Sequence, residues 1–171
     1  MLRRLRSRLD MRLLYAMRTS WHAPANEAIA KALGRAGEYG AIWLALGILF
    51  ALLDPDRREE WLLCGLLGPF AIGFNYVVKV LVRRPRPVLE GLPPLSGAPS
   101  SLSFPSAHAT SSFAVATAMT RVDPSAALLF ALALAISLGR PYLGMHYPSD
   151  VLGGAVLGTA LGLAVPVDLL A

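Results

Sequence analysis

The sequence predicts an all-α integral membrane bundle of about five transmembrane helices, preceded by a basic amphipathic interfacial helix. Three observations carry that expectation. Of 171 residues, 55% are apolar and only 16% charged, against roughly 25% charged in soluble domains. Mean hydropathy is +0.53. Apolar runs recur along the chain between short polar turns. At roughly 20 residues per crossing, the length leaves room for five or six spans and none for a soluble catalytic domain. Any chemistry must then sit at helix ends.

Residues 1–20 carry Arg3, Arg4, Arg6, Arg8, Arg12 and Arg18, while Leu2, Leu5, Leu9, Leu13 and Met17 fall on one helical stripe in which Arg6 is the one cation. A basic amphipathic helix of this kind lies in the headgroup layer, drawn there by anionic lipid. The sequence therefore divides into an interfacial segment, residues 1–35, and a transmembrane domain, residues 36–171. Ala23-Pro24-Ala25 imitates a signal-peptidase site, but Asp10 and Arg12 break the apolar stretch ahead of it, so no cleaved signal is expected.

The spans are expected at residues 37–53, 61–82, 107–119, 124–138 and 151–165; the first and third are short for a crossing and equally suit buried helices. Asp123-Pro124 reads as an N-cap and first-turn proline, and Gly68-Pro69 as a kink inside the second span. Gly154, Gly158 and Gly162 recur at four-residue spacing, which lets membrane helices approach closely. Residues 88–104, rich in Pro, Ser and Gly, form a long loop that suits a lid or a connector. The single cysteine, Cys64, rules out an intramolecular disulfide or a multi-cysteine zinc site.

Charge is expensive near lipid, so three polar clusters need explaining. The first is KVLVRRPRP, where Lys79 and Arg86 are seven residues apart; Pro85 and Pro87 stop the helix near Val82, folding Arg86 back toward Lys79. The second is FPSAHATSS, where Pro105 suits a first helical turn and the backbone N–H groups of Ser106, Ala107 and His108 point outward as an anion site. The third is GRPYLGMHYPSD, with Arg140, His146 and Asp150, the carboxylate near enough to orient the imidazole. Each cluster alone has a structural reading: a surface anchor, a wetted histidine, a plain hydrogen bond. The two loops that carry them open on the same membrane face, so all can converge. Three cations, two histidines and two helix N-termini around one anion are an apparatus for metal-free phosphoryl transfer; too few carboxylates are present for a two-metal site, and no cofactor is expected. His22 reads as interfacial.

These three clusters resemble the signatures of the type 2 phosphatidic acid phosphatase superfamily: Lys-x6-Arg-Pro as Lys79 with Arg86-Pro87, Pro-Ser-Gly-His as Pro105-Ser106-Ala107-His108, and Ser-Arg-x5-His-x3-Asp as Gly139-Arg140 followed by His146 and Asp150. The resemblance implies that His146 is the nucleophile and forms a phosphohistidine. It implies that Asp150 orients His146 and that His108 protonates the lipid alkoxide. Lys79, Arg86, Ser106, the backbone at Ala107 and Arg140 would hold the phosphate. Two positions depart from the pattern. Ala107 replaces a glycine and keeps its N–H; Gly139 replaces a serine and loses one hydroxyl. The implied substrate is a lipid phosphomonoester. In size, composition and expected topology the chain resembles short bacterial members of that family that act on a polyprenyl-linked sugar phosphate of cell-wall synthesis, which the resemblance implies as the substrate, with undecaprenyl diphosphate and phosphatidylglycerophosphate or phosphatidate as alternatives. A silent lipid-binding protein or a small transporter is the competing class.

Every lysine and arginine except Arg57, Arg58 and Arg121 falls on the face that carries the motifs, so the positive-inside rule puts the site on the cytoplasmic side of the inner membrane. A sixth span between Leu13 and Leu33 would reverse that. The net charge of +5 is thus expected to serve topology and an anion site rather than nucleic acid, and the partners are the membrane and its lipid phosphate, with oligomeric state open.

Overall fold

The computed structural model describes residues 8–97 and 101–167. Leu2, Leu5 and Arg6 of the expected amphipathic stripe, and residues 98–100 of the long loop, lie outside that range. Seven α-helices make up the described chain: α1 (Arg8–Arg18), α2 (Pro24–Ala36), α3 (Ala41–Leu53), α4 (Arg58–Val82), α5 (Ala107–Val122), α6 (Leu129–Tyr142) and α7 (Pro148–Ala164).

The bundle is built around α5, which packs along α7 most extensively and also touches α4 and α6. Because α5 is enclosed, its sequence is small on every side: Ala109, Thr110, Ser111, Ser112, Ala114, Ala116 and Ala118 are all buried. The glycine repeat of α7 is what admits it. A side chain at Gly158 would run into the Thr110 carbonyl, and one at Gly154 would come 2.6 Å from the Ser106 carbonyl, so the two backbones meet without intervening side chains. Trp43 of α3 reaches across to donate to Ser112 at 3.1 Å. Asn75, fully buried on α4, donates to Thr110 Oγ1 at 2.9 Å and ties α4 to the start of α5.

Among the described residues, two helices are long and apolar enough to cross a membrane, Pro55–Val82 and Pro124–Tyr142. A third is added if Pro24–Ala36 and Glu38–Leu53, bent by 49° at their junction, form one broken span. The bend falls where Tyr39 and Gly40 take left-handed backbone, φ 53° and 76°, so the apolar run expected from residue 37 starts as a helix only at Ala41. Outward faces are apolar, as lipid contact requires: Phe70, Phe74, Val77 and Leu81 on α4, Leu52 and Leu53 on α3, Leu152 and Val156 on α7 are exposed.

At Gly68-Pro69, α4 continues as one helix from Arg58 to Val82 with Pro69 inside it. The pair forms a shallow seat for the α2–α3 bend, where a Cβ on Gly40 would lie 2.9 Å from the Pro69 nitrogen. On α1 the face turned into the protein is Asp10, Leu14 and Arg18, all buried, while Leu9 and Tyr15 point outward. The inward face lies one residue along from the apolar stripe, which leaves Leu9 outward; on it Asp10 is paired with Arg84 and Arg18 donates to the Pro93 carbonyl. Pro105 precedes α5 rather than opening it; Ser106 is the N-cap and accepts from the Ala109 N–H at 3.5 Å. Asp123 caps the turn before α6 as expected, accepting from the Ser125 N–H at 2.8 Å, although Pro124 opens a 3₁₀ turn ahead of the α-helix.

Candidate active site

A cavity of about 140 Å³ opens at the end of the bundle where α4 and α6 finish and α5 and α7 begin. Its lining includes Lys79, Arg86, Ala107, His108, Arg140 and His146, contributed by all three sequence clusters. Each local structure follows from its sequence. Proline cannot continue a helix: α4 stops at Val82, and Arg83 closes it in left-handed backbone with its N–H bonded to the Lys79 carbonyl. The chain then turns so that Arg86 faces back toward the Lys79 end of α4. There Arg86 Nη1 donates to the Met145 carbonyl at 2.6 Å and lies 3.2 Å from His146 Nε2.

That last contact sets the tautomer of His146. A guanidinium has only protons to give, so Nε2 carries the lone pair and Nδ1 the hydrogen. The ring is buried, and burial pushes its pKa down to about 3 despite the opposing pull of Asp150. The imidazole is neutral at physiological pH, with an unprotonated nitrogen beside the cavity. Its Nδ1 is 3.4 Å from Asp150 Oδ2. At that separation the pair is an electrostatic contact rather than a formed hydrogen bond, and Oδ2 already accepts the Tyr147 N–H at 2.8 Å. Asp150 sits behind His146, fully buried, outside the cavity lining.

Across the cavity, His108 Nε2 lies 2.9 Å from the Gly34 carbonyl of α2. With Nε2–H donated there, Nδ1 is the nitrogen left for chemistry. Gly34 leaves room for the Arg140 guanidinium, since a Cβ there would come 2.6 Å from Arg140 Nη1 and push the tip aside. Lys79 and Arg140 are both buried. Neither has an ion pair among the described residues; Arg140 donates to the Met145 sulfur at 2.9 Å, a weak acceptor. Buried cations without counter-ions are costly, and here they face the same space as Arg86.

Two expected contributors sit elsewhere. Ser106 is buried and absent from the cavity lining; its N–H donates to the Asp150 carbonyl at 3.0 Å. The N-terminus of α7 is also spoken for, with the Tyr147 N–H on Asp150 and the Ser149 N–H on Asp10 at 2.9 Å. Carboxylates of the chain itself have taken the positive helix end, which leaves α5 as the helix whose first residues, Ala107 and His108, line the cavity.

Three residues were not singled out by sequence reasoning. Arg84, buried, donates to Asp150 Oδ1 at 2.6 Å, to Ser149 Oγ at 2.7 Å and to Asp10 Oδ2 at 2.9 Å, and its guanidinium stacks 4.2 Å from the Tyr147 ring centre. Asp10 closes the network by accepting from Ser149 Oγ at 2.6 Å. The signal for Asp10 was a lone acid in an arginine-rich helix. Arg84 was hidden among four cations, and Gly34 had no signal at all.

Residues 59–169 match the PAP2 superfamily. The chain belongs to that superfamily. It is 42% identical over 142 residues to a decaprenylphosphoryl-5-phosphoribose phosphatase of Mycobacterium tuberculosis, covering 83% of this chain and 80% of the relative. Among solved structures, Aquifex aeolicus LpxE superposes with a TM-score of 0.74 at 25% identity, covering 92% of this chain and 94% of that one. A PAP2-type phosphatidylglycerolphosphate phosphatase from Bacillus subtilis gives 0.52 at 25% identity, over 94% and 93%. This PAP2 protein is a membrane phosphatase acting on phosphomonoesters.

Proposed function

We propose that this enzyme hydrolyses the terminal phosphomonoester of a polyprenyl-linked sugar phosphate, decaprenylphosphoryl-5-phosphoribose or a near analogue, through a phosphohistidine on His146. The observation that carries the proposal is the set of cavity cations, Lys79, Arg86 and Arg140, facing the unprotonated Nε2 of His146 with Asp150 already paired to Arg84. A phosphate dianion supplies the missing negative charge. The similarity to the mycobacterial phosphatase supports the polyprenyl phosphosugar as the substrate.

In this scheme the three cations and the Ala107 N–H stabilise the equatorial oxygens. His146 Nε2 attacks phosphorus in line, and the P–O bond to the alcohol breaks. His108 enters as the imidazolium once the phosphate dianion is bound, keeps Nε2–H on the Gly34 carbonyl, and gives its Nδ1 proton to the departing alkoxide. His108 then takes a proton from water, whose oxygen attacks phosphorus as the P–N bond breaks, releasing phosphate and restoring His146. Asp150 keeps the Nδ1 proton in place and offsets the charge that the ring gains. No step calls on a metal; the described residues hold no cluster of metal ligands.

The lipid tail stays outside so small a cavity, which suits lateral entry from the membrane. We place five crossings in the inner membrane with α1 at the cytoplasmic interface. The motifs and most of the positive charge lie at one end, while Arg57, at the other, is held by Asp54 and Asp123. Impermeant thiol labelling of a cysteine at Ser96 in intact cells would overturn that orientation.

The decisive assay is phosphate release by purified protein from the polyprenyl phosphosugar, undecaprenyl diphosphate, phosphatidylglycerophosphate and phosphatidate. Wild type should favour the first, and His146→Ala should release none. Equal release by His146→Ala and wild type from every lipid would sink the reading. Denaturation in alkali should trap an acid-labile phosphoprotein in wild type only.

A further inference from the structure

The cavity holds more positive charge than one phosphomonoester needs, and the surplus is on α2. Lys31, Gly34 and Arg35 of α2 all line it, at a spacing of three and four residues that puts them on one helical face, and Glu38 joins them from the turn that follows. The Gly34 carbonyl on that face is the partner of His108 Nε2. His108 stands on the leaving-group side of the reaction, so whatever extends from the cleaved P–O bond passes along α2. The alcohol, not the phosphoryl group, therefore meets Lys31 and Arg35.

Those two cations are available. Arg35 is exposed and has no ion pair among the described residues; Lys31 is held only by the half-exposed i,i+4 contact to Glu27 at 2.6 Å, the kind of pair that is worth little and exchanges readily. Among the described residues, Glu38 is the one carboxylate in the lining, placed to accept from hydroxyls of the alcohol.

We infer that Lys31 and Arg35 form a second anionic subsite, which selects phosphomonoesters whose alcohol itself bears a phosphodiester a few bonds away. The inference rests on the phosphatase reading and narrows its substrate class: lipid-phosphodiester-linked sugar or glycerol phosphates are preferred over phosphatidate, which has a single phosphate.

The test compares two lipids of identical acyl chains, phosphatidylglycerophosphate and phosphatidate, bound to His146→Ala protein in nanodiscs so that turnover plays no part. Adding Lys31→Gln and Arg35→Gln together should raise Kd for phosphatidylglycerophosphate about tenfold and for phosphatidate less than about threefold. Lys31→Arg with Arg35→Lys should restore the difference, and high salt should erase it. Equal weakening for both lipids, or none for either, overturns the subsite. In the wild-type background the same pair of substitutions should lower the ratio of kcat/KM between the two lipids. Absence of phosphate release from any lipid would fail the phosphatase reading alone, since the binding comparison still decides the subsite.

Discussion

Arg84 binds Asp150 through Nη1 and Oδ1 at 2.6 Å, both groups buried, and the other oxygen of that carboxylate faces His146. The carboxylate beside the proposed nucleophile is thereby held from behind by a residue outside the cavity, and that residue is anchored in turn by Asp10 of the N-terminal helix.

Replacing Arg84 isolates a buried charge. Arg84→Ala should lose about 3 to 5 kcal/mol of stability, while Arg84→Lys keeps the charge but not the three-way geometry. For Arg84→Lys the expected result is a fall of about 100-fold in kcat with little change in KM, because Arg84 does not line the cavity. A change confined to KM would contradict its positioning role.

Asp10 provides a pH-dependent check on the same network. Burial alone would raise its carboxyl, but the Ser149 hydrogen bonds and Arg84 outweigh that and hold it below 3.8. A depressed folded value contributes stability above the unfolded value and loses it as pH falls through the folded one. Asp10→Asn should lower the melting temperature in detergent at pH 7, and the gap from wild type should close only below about pH 3.8. A gap unchanged by acid would assign the loss to packing.

His146 shifts in the same direction for a different reason. Its folded value of about 3 lies below the usual 6.5 because the ring is desolvated. Between those values the unfolded chain binds more protons, so stability falls as pH drops from 6.5 toward 3. Arg86, Lys79 and Asp150 are the charged groups acting on the ring. His146→Gln should flatten the dependence of melting temperature on pH between about 7.5 and 5.

Gly34 separates the cavity wall from Arg140. In Gly34→Ala the new methyl displaces the guanidinium tip; the expected outcome is a KM raised about tenfold, with the melting temperature nearly unchanged. A large loss of stability instead would show that the guanidinium cannot move.

Gly158 tests the helix contact behind the site. Gly158→Leu forces α7 away from the Thr110 carbonyl on α5 and should cost about 2 to 3 kcal/mol, read as a lower melting temperature. Gly73, with open space around it, is the control: Gly73→Ala should be neutral or slightly stabilising.

Some of this was determined by sequence alone. Apolar excess and hydrophobic runs announce a membrane bundle because lipid demands such a surface, and the Lys79, Arg86, His108, Arg140, His146 and Asp150 spacings are legible because each lies beside a helix end that proline or a cap defines. Glycine spacing on α7 likewise reports close approach directly. Tertiary structure alone decided the rest. Which of two adjacent α1 faces turns inward depends on where Arg84 lies, some seventy residues away, and no periodicity carries that. Whether a helix N-terminus is open to substrate depends on whether the chain's own carboxylates reach it first; at α7 they do. The place of α2 beside His108 follows from a bend at Tyr39 and Gly40 and from a glycine whose only signature is the arginine it makes room for.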